Sequence, residues 1–240
     1  MNKTNYHSAS AALSPDMKIF ELIDAYPVLL SVFSRLGITL PFGDISVEQM
    51  CRRDGHSPEL FLLLCRMHID TLFRPRPSEL CEDMLLSVVG YLRATHRYYT
   101  DYMLPHAGEH LDEILGYCDE LSRSMLTKFY SDYVRYIKEH LEEEEQTIFA
   151  SVESAAAGAR PNLASLEVPH SDINDRTNDI ASLIIKCLPE AAPTQLRCAM
   201  LSHIYALRDD LRRHYNVEVA LLRPLIAQTL NTSKQWDVTA

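Results

Sequence analysis

The chain has 240 residues and a formal net charge of −10, which argues against a nucleic acid as partner because phosphate binding relies on clustered Lys and Arg. Only 7 glycines occur, and this scarcity favours an all-α protein with few tight turns. The six cysteines include no Cys-x-x-Cys pair, which predicts free thiols. The sequence has no signal-peptide core and no apolar run of about 18 residues, so we expect a soluble, cytoplasmic protein without membrane association.

A small helical N-terminal domain is predicted over residues 15–73, after a flexible arm at 1–14. Three sets of start and stop signals mark its short helices: Pro27 with Gly37, the capping-box pair Ser46 and Gln49, and Ser57 before a proline. The prolines in residues 74–78 oppose helix continuation, so this segment is predicted to be a linker.

Four long helical stretches follow the linker. They are predicted at about 79–118, with a bend at Pro105, and at about 122–154, 168–187 and 194–229. Four helices with short connections predict an up-down four-helix bundle over residues 79–230, and residues 231–240 form a tail without a pattern.

Two of these helices carry a histidine and a glutamate four residues apart, His140 with Glu144 and His214 with Glu218. Positions i and i+4 lie on the same face of a helix, so each pair can reach one point in space. Paired His/carboxylate turns on two facing helices are how a helical bundle builds a dinuclear metal site. The repeat therefore predicts a metal site in the bundle.

The other two long helices each contribute one histidine, His96 in the first and His170 in the third. Four imidazoles and two carboxylates form a nitrogen and oxygen donor set that suits iron. Since each carboxylate can bridge, the set predicts two Fe ions, with an oxo or hydroxo bridge and an open position for a small ligand. Alternatively, these are ordinary core and surface residues of a metal-free bundle.

Several neighbouring residues are candidates for lesser roles. His106 and His110 are interpreted as bystanders, because Gly108 between them indicates a frayed or bent stretch. His203 lies three turns before His214, about 16 Å along the helix, and is predicted to be a core or pocket residue. Three residues one turn from a predicted ligand could orient an imidazole: Tyr99, Thr100 and Asp210.

These residues resemble the hemerythrin-like HHE cation-binding domain, and among such proteins the di-iron "repair of iron centres" family. That family draws its ligands in the order His, His-x-x-x-Glu, His, His-x-x-x-Glu, behind a small N-terminal cap. The resemblance covers residues 79–228 and implies a hemerythrin-like bundle with six metal ligands: His96, His140, Glu144, His170, His214 and Glu218. The family's first ligand precedes a Leu-Pro pair, here at residues 104–105, which points to His96.

The chain departs from the family pattern in three places. In the strict register of some relatives, Arg97 would take the place of His96. Oxygen-carrying hemerythrins usually have a further histidine where this chain has Asn174. The paired cysteines of the family's cap are replaced by Leu-Pro-Phe-Gly at residues 40–43, and Cys51 and Cys65 are better explained as buried structural residues than as substitutes.

The resemblance implies a role in oxidative or nitrosative stress, such as supplying iron to damaged iron–sulfur proteins or reacting with O2, NO or peroxide. Two alternatives from other classes stay open: a reversible oxygen or nitric oxide sensor, and a metal-free helical interaction protein. An enzyme also stays open as an alternative, although no separate acid/base or nucleophile set stands out in the sequence.

Overall fold

The computed structural model describes residues 13–157 and 171–229, except for the side chains at 171, 172 and 174. The predicted ligand His170 and the predicted tail lie outside the described residues, as does nearly all of the predicted arm. Within the described part, no helix is both long and apolar enough to cross a membrane.

The prediction of an all-α protein is confirmed. The described residues form ten α-helices, which we number in chain order: α1 Ile19–Ala25, α2 Leu30–Arg35, α3 Val47–Asp54, α4 Pro58–Ile69, α5 Leu85–Tyr98, α6 Leu104–Leu115, α7 Glu120–Glu144, α8 Ala150–Ala156, α9 Ser171–Cys187 and α10 Thr194–Val217. Short 3-10 turns cover Pro27–Leu29, Pro77–Glu79 and Glu82–Met84, and helical structure continues over residues 223–229. Extended pairing in this part of the chain is limited to one isolated bridge, between Lys18 and Ser46.

The chain folds into two compact units. Of the described residues, those up to Ala94 and those from Arg213 onward form the first unit, and those between Thr95 and Arg212 form the second. This division does not follow the predicted boundaries of an N-terminal domain at 15–73 and a bundle at 79–230. Those domain boundaries stay a prediction. Each unit is described by itself below.

Helix starts in the first unit follow the sequence signals. Ser46 and Gln49 form the predicted capping box, in which the Gln49 N–H donates to Ser46 Oγ and the Ser46 N–H donates to Gln49 Oε1. The Leu60 N–H donates to Ser57 Oγ, which caps α4. Gly55 ends α3 at a φ of 76°, a left-handed conformation that glycine adopts without steric cost.

A series of hydrogen-bonded polar side chains is buried in the apolar core of the first unit. Arg35 donates to the hydroxyl of Tyr91 at 3.3 Å, and this hydroxyl lies 3.0 Å from His68 Nε2. His68 Nδ1 lies 2.9 Å from the Leu64 carbonyl, which can only accept, so Nδ1 carries the proton and Nε2 accepts from Tyr91. The chain of hydrogen bonds satisfies groups whose burial would otherwise be costly.

The second unit contains the helical bundle. Its core draws buried apolar side chains from each of four helices, α6, α7, α9 and α10, represented by Leu111, Ile137, Ile184 and Ile204. The connections 116–119 and 188–193 are short, as the up-down prediction requires for neighbouring helices. The burial of one apolar stripe per helix is the main source of stability of such a bundle.

Gly108 has a packing role that differs from its interpretation as a sign of fraying. It lies inside the regular helix α6, and a Cβ at this position would lie 3.4 Å from the ring of Tyr130 on α7. The Tyr130 hydroxyl donates to the Leu104 carbonyl. The glycine therefore serves close packing of α6 on α7, and the irregular stretch lies before Pro105, at Tyr99–Met103.

A buried hydrogen bond between side chains also connects α7 with α9. Thr177 Oγ1 donates to the Ile173 carbonyl at 2.7 Å, so the Tyr133 hydroxyl, 3.0 Å from Oγ1, acts as the donor in that contact. We expect Tyr133→Phe to lower the free energy of unfolding by about 1 kcal/mol, because it leaves a buried hydroxyl without this partner. Urea denaturation measures the effect. Tyr117→Phe, at a half-exposed tyrosine, is the control, and equal changes in both variants would contradict the assignment.

Cys51 and Cys65, two of the cysteines of the first unit, support the prediction of buried structural thiols. Cys51 and Cys65 are both fully buried and free. Burial, followed by the charges of Asp54 and Glu59, raises the pKa of Cys51 to about 12, and burial raises the pKa of Cys65 well above its ordinary value. Since the thiolate is the reactive form, these thiols are poor nucleophiles in the folded protein.

We therefore expect three classes of thiol in a reaction with Ellman's reagent. The exposed Cys81 and Cys198 should react fast, and the half-buried Cys187 should react more slowly. The buried thiols, Cys51, Cys65 and Cys118, should react only when the chain unfolds. The double variant Cys81→Ser/Cys198→Ser should lack the fast phase. A fast reaction at Cys51 in the folded variant would contradict the burial.

Candidate metal centre

Three of the predicted ligands meet inside the second unit. Glu144 is completely buried, and its two carboxylate oxygens face different imidazoles: Oε1 lies 2.9 Å from His140 Nε2, and Oε2 lies 3.3 Å from His96 Nε2. His96 and His140 are also buried. One carboxylate and two imidazole nitrogens thus converge in a region from which water is largely excluded.

Local helix structure explains these positions. His140 and Glu144 are one turn apart in the last part of α7, so their side chains lie on one face. His96 lies in the last turn of α5, and its ring stacks on Phe149 with the centroids 5.2 Å apart. The stacking restricts the ring to an orientation in which one nitrogen faces Glu144.

Glu145, the last residue in a run of four glutamates, also contacts His96. Its Oε1 lies 3.1 Å from His96 Nδ1. A carboxylate only accepts, so Nδ1 carries a proton, and in the neutral ring the lone pair of Nε2 is then directed toward Glu144. A cation between Nε2 and the Glu144 oxygen would satisfy both acceptors.

A π-helical turn adjoins three of the predicted ligands. Tyr99–Met103 begins three residues after His96, Glu145–Phe149 begins directly after Glu144, and Glu218–Leu222 begins at Glu218 itself. Such turns are rare and occur often at functional sites, where the additional residue redirects side chains. The wider turn at Glu145 helps adjacent glutamates to contact the two nitrogens of one ring.

The second His/Glu pair lies in the first unit. His214 Nε2 is 2.8 Å from Glu218 Oε1, and both side chains are buried. The predicted i,i+4 geometry is therefore present at both repeats of the motif, each described within its own unit.

The structure also locates the alternative ligand Arg97 and the three residues that were predicted to orient an imidazole. His96 faces Glu144, whereas Arg97 is exposed, so the structure favours His96 as the first-helix partner of the carboxylate. The hydroxyl of Thr100 has its shortest acceptor contact with the Asp101 carboxylate, at 2.9 Å, and reaches the backbone carbonyl of His96 at 3.2 Å, not the ring of His96. Tyr99 and Asp210 are buried, and their orienting role stays a prediction.

A pocket of about 460 Å³ opens beside His96. Its wall combines apolar and charged side chains, including Leu141, Lys138 and Glu142. A small molecule that entered it would lie next to the imidazole that contacts Glu144.

The chemistry of this donor set fits a metal ion. A carboxylate removed from water is costly unless a cation or several donors compensate it, and imidazole nitrogen with carboxylate oxygen is a set that divalent iron accepts. A ring nitrogen of His96 and an oxygen of Glu144 lie within 4.8 Å of each other, the range that one ion can bridge, and the same holds for His214 with Glu218.

An all-α bundle with buried His/carboxylate sets on its helices defines a metal-binding helical protein. The family comparison is more specific: the model of the hemerythrin HHE cation binding domain matches residues 87–227, more than half of the chain. The chain therefore belongs to the hemerythrin HHE cation binding domain family. Searches of curated proteins and of solved structures gave no match.

Proposed function

We propose that the protein binds two non-haem Fe ions through His96, His140, Glu144, His170, His214 and Glu218. The observation that carries the proposal is the buried Glu144 carboxylate, whose two oxygens face two imidazoles on helices of the matched family domain. Family membership supports the extension to the His214/Glu218 pair, because that pair repeats the same motif within the matched residues.

In this proposal the protein side chains hold and tune the iron. The imidazoles supply neutral nitrogen donors, and Glu145 keeps the proton of His96 on Nδ1 so that Nε2 stays available. Glu144 and Glu218 would each supply carboxylate oxygens to the iron, and a carboxylate can change its binding mode as iron is gained or lost. Bound iron would supply redox chemistry and affinity for O2, NO or peroxide.

We further propose a role in oxidative or nitrosative stress, with iron donated to damaged iron–sulfur proteins. This role rests on the resemblance to the repair of iron centres family. Anaerobic incubation of the iron-loaded protein with an iron–sulfur protein damaged by nitric oxide tests it. We expect the recipient's activity to recover with the parent and not with Glu144→Gln, and recovery that is equal for both would contradict iron donation.

A second candidate function is reversible sensing of a small molecule, which the pocket beside His96 favours. A sensor would form a stable spectroscopic adduct with O2 or NO and keep its iron in the presence of a recipient protein. Loss of iron to the recipient would instead favour repair, so one incubation distinguishes the two functions.

Glu145→Gln tests the positioning role of Glu145. We expect iron affinity to fall by about 10-fold, because partners that orient a ligating histidine typically contribute 10- to 100-fold. Competition with a ferrous chelator measures the change. Glu139→Gln, at an exposed glutamate of α7, is the matched control. Equal iron affinities of the two variants would show that Glu145 does not position His96 for iron binding.

A further inference from the structure

Three histidines outside the predicted iron ligands come together in the second unit. His106 and His110 are one turn apart on α6, and His203 lies on α10. The ring centroid of His203 is 4.9 Å from that of His110 and 6.3 Å from that of His106. The prediction of two bystanders and one pocket residue did not anticipate this cluster, since nothing local indicates that the two helices bring the rings together.

His106 has the partner that a metal-binding histidine usually has. Its Nδ1 lies 2.9 Å from Glu109 Oε2, and a carboxylate only accepts, so Nδ1 carries the proton. The Nε2 atom then presents a lone pair. A carboxylate on the far nitrogen is the usual arrangement that fixes the tautomer and raises the basicity of a ligating imidazole.

The surroundings of His203 also favour a neutral imidazole. Partial burial, followed by the nearby rings of His110 and His106, lowers the pKa of His203 below its ordinary value. All three residues remain partly exposed, so an ion from solution can reach them. Binding of one ion requires the rings to turn, because the three rings do not each place a nitrogen within 4.8 Å of the others.

We propose that His106, His110 and His203 form a second metal site, which takes one divalent transition ion of the Zn²⁺ class. Histidines at i and i+4 on one helix face one direction and can chelate one ion. Three imidazoles leave a fourth, tetrahedral position for water, the donor set of an open zinc site. The site shares no residue with the iron ligands proposed above, and its ion would link α6 to α10.

Zinc titration by calorimetry tests the site. The iron-loaded parent is titrated because its proposed iron ligands are already occupied, and the Glu144→Gln variant is titrated to show that zinc binding does not depend on the buried carboxylate of the iron site. We expect one zinc per chain in both proteins. His110→Gln and His203→Gln should weaken this binding by at least about 10-fold, and Glu109→Gln by about 10-fold.

His56→Gln, at a histidine of the first unit, is the matched control and should bind zinc as the parent does. Thermal unfolding supplies an independent readout: zinc should raise the melting temperature of the parent and leave that of His203→Gln unchanged. Unchanged zinc binding in His110→Gln and His203→Gln would overturn the proposal. So would a loss of zinc binding in Glu144→Gln, because it would assign the zinc to the iron ligands.

Discussion

Replacing Glu144 by glutamine is expected to remove most of the iron that the protein retains after anaerobic loading and dialysis. Glu144 is the completely buried carboxylate that faces both His96 and His140. Glutamine has nearly the same shape but is neutral and cannot bridge two ions. The iron-free variant should fold as the parent does, because the substitution removes a charge that is costly to bury.

Glu143→Gln is the control for this prediction. Glu143 is the preceding residue in the same acidic run and is exposed, so its loss changes the net charge equally without touching the buried set. We expect it to retain the iron of the parent. Equal iron contents in the two variants would show that the buried carboxylate does not bind the metal.

Iron is expected to stabilise the folded chain strongly. A ligand that binds only the native state at a free concentration of 100 times its Kd adds about 2.7 kcal/mol, which for a chain of this size corresponds to a rise in melting temperature of about 5–10 °C. Thermal unfolding followed by circular dichroism, with and without ferrous iron under anaerobic conditions, measures the shift.

The same measurement separates the metal-binding account from a metal-free interaction protein. His214→Gln should reduce the shift, because it removes a buried imidazole of the second His/Glu pair. His56→Gln should leave the shift unchanged. Equal melting temperatures of the parent with and without iron would favour the metal-free alternative.

Features that depend on helix periodicity could be predicted from sequence. The spacing of His140 with Glu144 and of His214 with Glu218 places each pair on one helix face, and both contacts are present in the structure. The capping box at Ser46 was equally predictable because its partners are three residues apart. The family assignment at the level of the HHE domain followed from these patterns and is confirmed.

Features that depend on contacts between helices could not be predicted in this way. Glu145 contacts His96 across 49 positions of the chain, and His203 approaches His110 from another helix, so neither contact leaves a local pattern. The π-helical turn at Glu145 is likewise set by packing and has no residue signal of its own. Gly108 was misinterpreted because its contact with Tyr130 is also tertiary.

The most direct test of the central claim is the iron content per chain after anaerobic reconstitution with ferrous iron, measured by elemental analysis. The account predicts about two irons in the parent and fewer in His140→Ala and Glu218→Ala, since each variant removes a proposed ligand from one of the two His/Glu pairs. One iron per chain would contradict the bridged di-iron centre. No iron in the parent would contradict iron binding by these residues altogether.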